Sequence, residues 1–189
     1  MKIATIVGSN SHVLYIGRLA DGAADGTTLF GTFARMPSNE GSIVGIVCDS
    51  RLIDPDLART SPGLQGEYAL ADVRGDLLKE KKALIAIMLI GHFSGDNTFH
   101  QIPRSIILAG TAVESMSKDE INAFHLSSVG DLQIHYLPDL MAQTGSLGAP
   151  LARFILNELS TNATDSDKRR LEVMAGALNW KHAFGESKF

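Results

Sequence analysis

The sequence predicts a mainly β protein (α+β overall): a small closed antiparallel barrel of about six strands, followed by a helical C-terminal region. Short apolar runs follow one another through residues 1–93, and turn-forming residues separate them. The pattern changes after residue 115, where apolar residues recur at helical spacing. We therefore divide the chain into a barrel with a short helical insertion, residues 1–115, and a helical region packed on it, residues 116–189.

The first three strands come early in the chain. Residues 2–8 and 12–18 are apolar runs split by Gly-Ser-Asn-Ser, which is typical of a hairpin. A third run alternates over residues 30–35. We expect Met36-Pro37 to stop this strand, because proline has no N–H to donate to a sheet.

The two strongest strand signals are Ile43–Cys48, within SIVGIVCDSRLI, and Ala83–Phe93. The second run is apolar on both faces of the predicted strand, so we expect both faces to be buried. Gly45 and Gly91 within these runs predict a bend or a close backbone approach. A sixth strand is predicted from one of two runs, Ile106–Leu108 or Thr111–Val113.

Helical signals lie between these strands and after them. Asp54 with Pro55 predicts a short helix, and residues 67–82 are predicted as a loop plus a short helix. Ser117 and Glu120 have the spacing of a capping box, which predicts a helix with Ile121 and Phe124 directed inward.

The remaining C-terminal sequence predicts one strand and two helices. Residues 132–136 alternate over a short strand, and Pro150 is placed at the start of a helix. The two apolar stripes that would pack together are Leu151, Phe154, Ile155 and Leu159 in one helix and Leu171, Met174, Ala175 and Leu178 in the next.

Composition restricts the classes of function. The chain has 189 residues, 44% of them hydrophobic, and a formal net charge of -4, which argues against a surface that is entirely a nucleic-acid or anionic-membrane footprint. A single cysteine rules out an intramolecular disulfide and fits a reducing compartment. The longest apolar run is far shorter than the roughly 20 residues that span a bilayer. We expect a cytoplasmic protein with no cofactor and no membrane partner.

Four segments, SNSHVLY, GTFARM, IVGIVCDSRLIDPD and LIAIMLIG, resemble the barrel shared by HerA-type DNA-translocating ATPases and F-type ATP synthase subunits, the HAS barrel. The chain is similar to stand-alone bacterial HAS-barrel proteins with a helical C-terminal region, where ESMSKDEINAFH and LNWKHAF have counterparts. The resemblance implies a barrel that crowns a hexameric motor and contacts partners such as its nuclease. It implies no catalytic residue in the barrel.

The chain departs from those motors at the nucleotide site. It has no G-x-x-x-x-G-K-[ST] loop, so no lysine and hydroxyl pair is in place for phosphates and magnesium. We therefore expect no independent ATPase activity, and the sequence offers no hydrolase or redox motif that would make it another kind of enzyme.

A polar cluster after the fourth strand is the first candidate site. In it, Asp54 is expected to cap a helix, Arg51 to pair with a carboxylate and Asp49 to fix the turn. Its functional interpretation is a loop that docks a partner protein, formed by Asp49, Arg51, Asp54 and Asp56.

Two further groups are candidates for other chemistry. His92, Asp96 and His100 lie four residues apart and could bring two imidazoles and a carboxylate to one metal, although a polar strand-end loop explains them as well. The basic candidates for nucleic-acid contact, which a solvated surface also explains, are Lys79, Lys81, Lys82, Lys168, Arg169 and Arg170.

The leading functional hypothesis is a non-catalytic interaction module accessory to a DNA-processing motor, with a HerA-type ATPase or its nuclease as the protein partner. The alternatives are a nucleic-acid-binding small barrel and a small metal-dependent enzyme. The sequence leaves homo-oligomerisation open.

Overall fold

The computed structural model describes residues 1–20, 30–39, 41–53, 82–95, 97–127, 129–161 and 163–184. Antiparallel strands form the N-terminal part and helices the C-terminal part, as predicted. The strands are β1 Lys2–Ser9, β2 Leu14–Leu19, β3 Phe33–Ser38, β4 Gly41–Ile53, β5 Lys82–Ser94, β6 Asn97–Phe99 and β7 Ala112–Ser115. The helices are α1 Lys118–His125, α2 Leu137–Thr144, α3 Gly148–Ser160 and α4 Asp165–Phe184, with a 3₁₀ turn at Gly145–Leu147.

The barrel is closed by six strands in the order β2-β1-β7-β3-β4-β5, and β5 pairs back onto β2. Every pairing is antiparallel. The short β6 pairs with the last residues of β5. The predicted closed six-stranded barrel is therefore confirmed, and its sixth strand is Ala112–Ser115, close to the second of the two predicted runs.

Strands β4 and β5 are the centre of the molecule because both of their faces are buried. Ile85, Ile87 and Leu89 pack inside the barrel, in one cluster with Ile3 and Ile6 of β1. Residues on the opposite faces, including Val44, Ile46, Met88 and Ile90, pack against the helices. The prediction of a strand apolar on both faces is confirmed, and the helical region covers this side of the barrel.

Each of these two strands contains a glycine that a larger residue could not replace without a clash. A Cβ on Gly45 would lie 2.7 Å from Ile87 Cγ2, and one on Gly91 would lie 2.8 Å from Phe124 Cζ and collide with the Phe99 carbonyl oxygen. The β4–β5 register shifts between Val44 and Gly45. Both glycines therefore allow neighbouring parts of the chain to approach closely, which is one of the two roles predicted for them.

Strand β3 corrects the sequence prediction at its end. It runs through Pro37 to Ser38, although proline was expected to stop it at Met36. Pairing with β7 involves only Ala34 and Arg35. Pro37 therefore lies where β3 has a neighbour on one side alone, and proline is tolerated at such an edge.

The helical region contains three differences from the predictions. Residues 132–136 form no strand, only one bridge between Leu126 and Leu132, because the chain turns at Tyr136 into α2 with Pro138 in its first turn. Helix α2 was not predicted. Helix α3 begins at Gly148 rather than Pro150.

The capping box at Ser117 is confirmed: its hydroxyl accepts from Glu120 N–H at 3.3 Å, and its N–H donates to the Glu120 carboxylate at 2.7 Å.

Strand β7 ends at Ser115 and α1 begins at Lys118, close to the predicted division of the chain after residue 115. The short helix at Asp54 and the elements predicted between residues 67 and 81 lie outside the described residues. Among the helices that are described, none has the length and apolarity needed to cross a membrane.

Candidate functional site

A histidine–tyrosine pair is buried between the barrel and the helices. His125 and Tyr136 are only 1% and 2% exposed. His125 Nδ1 lies 2.7 Å from the Ile121 carbonyl oxygen, and Nε2 lies 2.7 Å from the Tyr136 hydroxyl. A carbonyl oxygen only accepts, so Nδ1 carries the proton, Nε2 is an acceptor and Tyr136 donates. Both ring nitrogens of a neutral His125 are therefore used within the fold.

Burial determines the protonation of this pair. It lowers the pKa of His125 to about 3, an effect that the Ile121 carbonyl opposes and the nearby His100 reinforces. Burial also raises the pKa of Tyr136. Phe33 packs edge-on against His125 with ring centroids 5.1 Å apart. A neutral imidazole and a neutral phenol held in this way join the helices to the barrel and are closed to solvent.

The metal candidates His92 and His100 face different neighbours. His92 stacks on Phe99 at 5.0 Å between ring centroids. His100 packs 4.4 Å from the Phe124 ring, and its Nε2–H donates to the Phe124 carbonyl oxygen at 2.8 Å. Burial lowers the pKa of His100. Asp96 is outside the described residues, within which no group of three metal-ligating side chains occurs.

Cys48 lies on the helix-facing side of β4 and is 4% exposed. Burial, and then the charge of Asp49, raise the pKa of its thiol to about 11. The nucleophilic form of cysteine is the thiolate, so this thiol is unreactive at neutral pH. The side chain acts as a small apolar residue of the core.

The docking candidates are placed at the end of β4 that continues into residues 54–81. Arg51 Nε lies 3.4 Å from Asp49 Oδ2, and the other carboxylate oxygen of Asp49, Oδ1, accepts from the Ser50 N–H at 2.8 Å. Arg51 thus pairs with a neighbouring carboxylate, as predicted. Asp49 does not fix a turn at the end of the strand: β4 continues past Cys48 to Ile53, and Asp49 lies within it beside a register shift in the pairing with β5. Asp54 and Asp56 lie outside the described residues. Docking at this site stays a prediction.

The basic candidates separate into two regions. Lys168, Arg169 and Arg170 lie in α4, and Arg170 is 3.6 Å from Asp167. The backbone of Lys82 opens β5. Lys79 and Lys81 are outside the part of the chain that is described, so nucleic-acid contact by the basic candidates stays a prediction.

A feature that the sequence did not single out lies at the opposite end of the barrel from Arg51. We call residues 100–111, between β6 and β7, the capping loop. Ile107 enters the interior cluster of the barrel, and its N–H donates to the Tyr15 hydroxyl at 3.2 Å. Further bonds join His12 Nε2 to the Pro103 carbonyl oxygen at 2.7 Å and Gly110 N–H to Ile6 O at 2.8 Å. The loop is thus held in place along its length.

The capping loop nevertheless presents apolar side chains to solvent. Ile106 is 72% and Leu108 is 73% exposed, on either side of the buried Ile107. Ile102 of the same loop is also exposed. Apolar side chains held outward by an anchored loop mark a surface suited to contact with another protein.

The comparisons with known proteins give a family and no activity. Residues 1–187 match the model of a domain of unknown function, DUF8166. The chain belongs to this family. No curated protein matches it. The DUF8166 match covers both the barrel and the helices.

Proposed function

We propose that this DUF8166 protein is a non-catalytic interaction module that docks to a DNA-processing motor of the HerA type, on the ATPase itself or on its nuclease. The resemblance to HAS barrels supports the choice of partner. The resembling segments fall on barrel strands: IVGIVCDSRLI is in β4 and LIAIMLIG is in β5. These strands form the doubly buried centre of the closed barrel.

The observation that carries the proposal is the exposed pair Ile106 and Leu108 on the anchored capping loop. Burying one such side chain gains about 1.5–3 kcal/mol relative to leaving it in water. The loop is already ordered by its bonds to β1, to β2 and to His12. A partner that covers it therefore gains this energy with little loss of conformational freedom.

The chemical state of Cys48 and His125 also supports an interaction role. The Cys48 thiol is protonated, and the ring nitrogens of His125 are both used. Both side chains pack where the helices meet the barrel. The apolar residues of the capping loop and the Asp49–Arg51 pair lie on the surface, and we assign the contacts with a partner to them.

The two docking surfaces can be tested separately, because they lie at opposite ends of one strand. Ser42, beside the capping loop, and Arg51 are nine positions apart in β4, which is about 30 Å at strand spacing. A contact surface on one end of the barrel therefore leaves the other free.

The experiment mixes the purified protein with the HerA-type ATPase, and separately with the nuclease, of the same organism, and measures complex formation by mass photometry. We expect a complex with one of them, weakened by Ile106→Asp/Leu108→Asp, by Arg51→Glu, or by both. The variant Arg169→Glu, an exposed charge on α4, serves as the control. Failure of both partners to bind would refute the proposal.

The nucleic-acid alternative has its own test on the same protein. Fluorescence anisotropy with single- and double-stranded DNA at low salt would show binding whose affinity falls steeply with added salt. Such binding, reduced by charge removal at Lys168, Arg169 and Arg170, would place this alternative ahead of the interaction module.

A further inference from the structure

We propose that His100 is an acid-sensitive latch: neutral, it holds the start of the capping loop against α1, and protonated, it releases that segment. This inference goes beyond the docking role proposed above and does not depend on it. His100 is the first residue of the capping loop and directly follows β6. Its Nε2 lies 2.8 Å from the Phe124 carbonyl oxygen of α1, and the two rings pack with their centroids 4.4 Å apart. The side chain therefore joins the barrel to the helical region.

The second ring nitrogen of His100 decides which protonation state fits this position. A carbonyl oxygen only accepts, so Nε2 carries the proton of the neutral ring and Nδ1 bears a lone pair. Nδ1 is buried and has no hydrogen-bond partner in the described part of the chain. A proton added there would create a buried charge with an unsatisfied donor, which costs far more than an unpaired lone pair. The ring can therefore bind a second proton only after it leaves this position.

The side chains around His100 give no compensation for a positive charge. His125 of α1 lies 5.6 Å away between ring centroids, and His135 and Tyr136, just before α2, lie 6.0 and 5.3 Å away. Both ring nitrogens of His125 are already used, and no described carboxylate forms an ion pair with His100. Burial lowers the pKa of His100, the bond to the Phe124 carbonyl opposes this shift, and the charge of His135 adds to it.

The segment that the latch holds, residues 97–102, has few other attachments among the described residues. Strand β6 is three residues long and pairs only with the end of β5. The next anchor along the capping loop is the bond between His12 and Pro103. Release of His100 therefore opens this segment locally and uncovers the buried Phe124, while the six strands that close the barrel stay paired. Such short segments open at lower free energy than a core.

The direction of the pH effect follows from which state binds the proton. In the open segment His100 has the ordinary histidine pKa of 6.5, and in the closed segment its pKa is lower. The closed form is therefore fully favoured above about pH 6.5, and it loses up to about tenfold in population relative to the open form for each pH unit below that. Between about pH 7.5 and about pH 5 the ratio of closed to open forms should fall by up to about 30-fold.

The test measures amide hydrogen exchange of the full chain by mass spectrometry at these two pH values, with each rate divided by the intrinsic rate at the same pH. In the wild type we expect residues 97–102 to lose protection by up to about 30-fold in acid, and the β1–β2 hairpin to lose less. In His100→Gln this acid effect should disappear, because the amide can still donate to Phe124 but does not titrate.

The matched control is His12→Gln, the same change at an exposed histidine that also contacts a backbone carbonyl, that of Pro103. This variant should lose protection in acid as the wild type does. Equal protection of residues 97–102 at both pH values would overturn the proposal. So would an equal loss in the β1–β2 hairpin, which indicates global unfolding, or an acid effect in His100→Gln as large as in the wild type. The comparison within the wild type needs no variant, and thermal melts verify that both variants are folded.

Discussion

Replacing His125 and Tyr136 together, as His125→Leu/Tyr136→Phe, should remove a large part of the protein's sensitivity to mild acid. In the folded state the pKa of His125 is lowered to about 3, whereas an unperturbed histidine has a pKa near 6.5. Between these two values the unfolded chain binds a proton that the folded chain does not. Stability is therefore complete above about pH 6.5 and declines as the pH falls below it.

The magnitude follows from the difference between the unfolded pKa and the working pH. At about pH 5 this difference is about 1.5 units, and one unit corresponds to about 1.4 kcal/mol. At about pH 5 the lowered pKa of His125 alone should thus reduce the free energy of unfolding of the wild type by about 2 kcal/mol, relative to its value at about pH 7.5. His100 adds to the loss, because burial lowers its pKa in the same direction.

The assay is urea denaturation followed by circular dichroism at both pH values, for the wild type and the double variant. Carboxylates that titrate in this range affect both proteins alike, so the difference between the two pH effects isolates His125. We expect the double variant to lose about 2 kcal/mol less than the wild type. The single variant His125→Leu should be less stable than the double variant at about pH 7.5, because it leaves the buried Tyr136 hydroxyl without its acceptor. Equal pH effects in both proteins would refute this reasoning.

Three more predictions concern the fold. Gly91→Ala should destabilise the protein by about 3 kcal/mol in urea denaturation, because the new Cβ meets Phe124 and the Phe99 carbonyl oxygen. Gly8→Ala, whose Cβ has nothing within 4 Å, is its control, and equal effects would contradict the close approach. Ser117→Ala should cost about 1 kcal/mol through loss of the N-cap hydrogen bond to Glu120; no measurable change in the urea midpoint would count against the cap. Cys48 should react with iodoacetamide at about pH 8 at least about 100-fold more slowly in the folded protein than in guanidinium, since its pKa is raised to about 11. Rapid labelling of the native protein would disprove its burial.

Those parts of the fold that depend on local pattern could be predicted from the sequence. The apolar run of β5, the hairpin of β1 and β2 and the capping box of α1 are each determined by residues close together in the chain. Pro37 shows the limit of such reasoning. Its effect on β3 depends on whether β7 pairs beside it, and β7 lies far away in sequence.

The candidate sites show the same limit more strongly. The capping loop is anchored to positions 6, 12 and 15, which are far from it in the chain, and no spacing rule connects them. The capping loop has two exposed apolar residues on either side of a buried one, a pattern that in the sequence equally predicts a strand at Ile106–Leu108. Only the anchoring of Ile107 in the barrel interior shows that its two neighbours are turned outward.

Of the two docking surfaces, the exposed pair Ile106 and Leu108 carries the proposed role, and one measurement tests it directly. The immobilised HerA-type ATPase, or its nuclease, is titrated with wild type, with Ile106→Ser/Leu108→Ser and with the control Val173→Ser, an exposed apolar residue of α4. We predict that the capping-loop variant binds at least about tenfold more weakly, while the control binds like the wild type. Equal affinity of all three proteins for both partners would contradict docking through the capping loop.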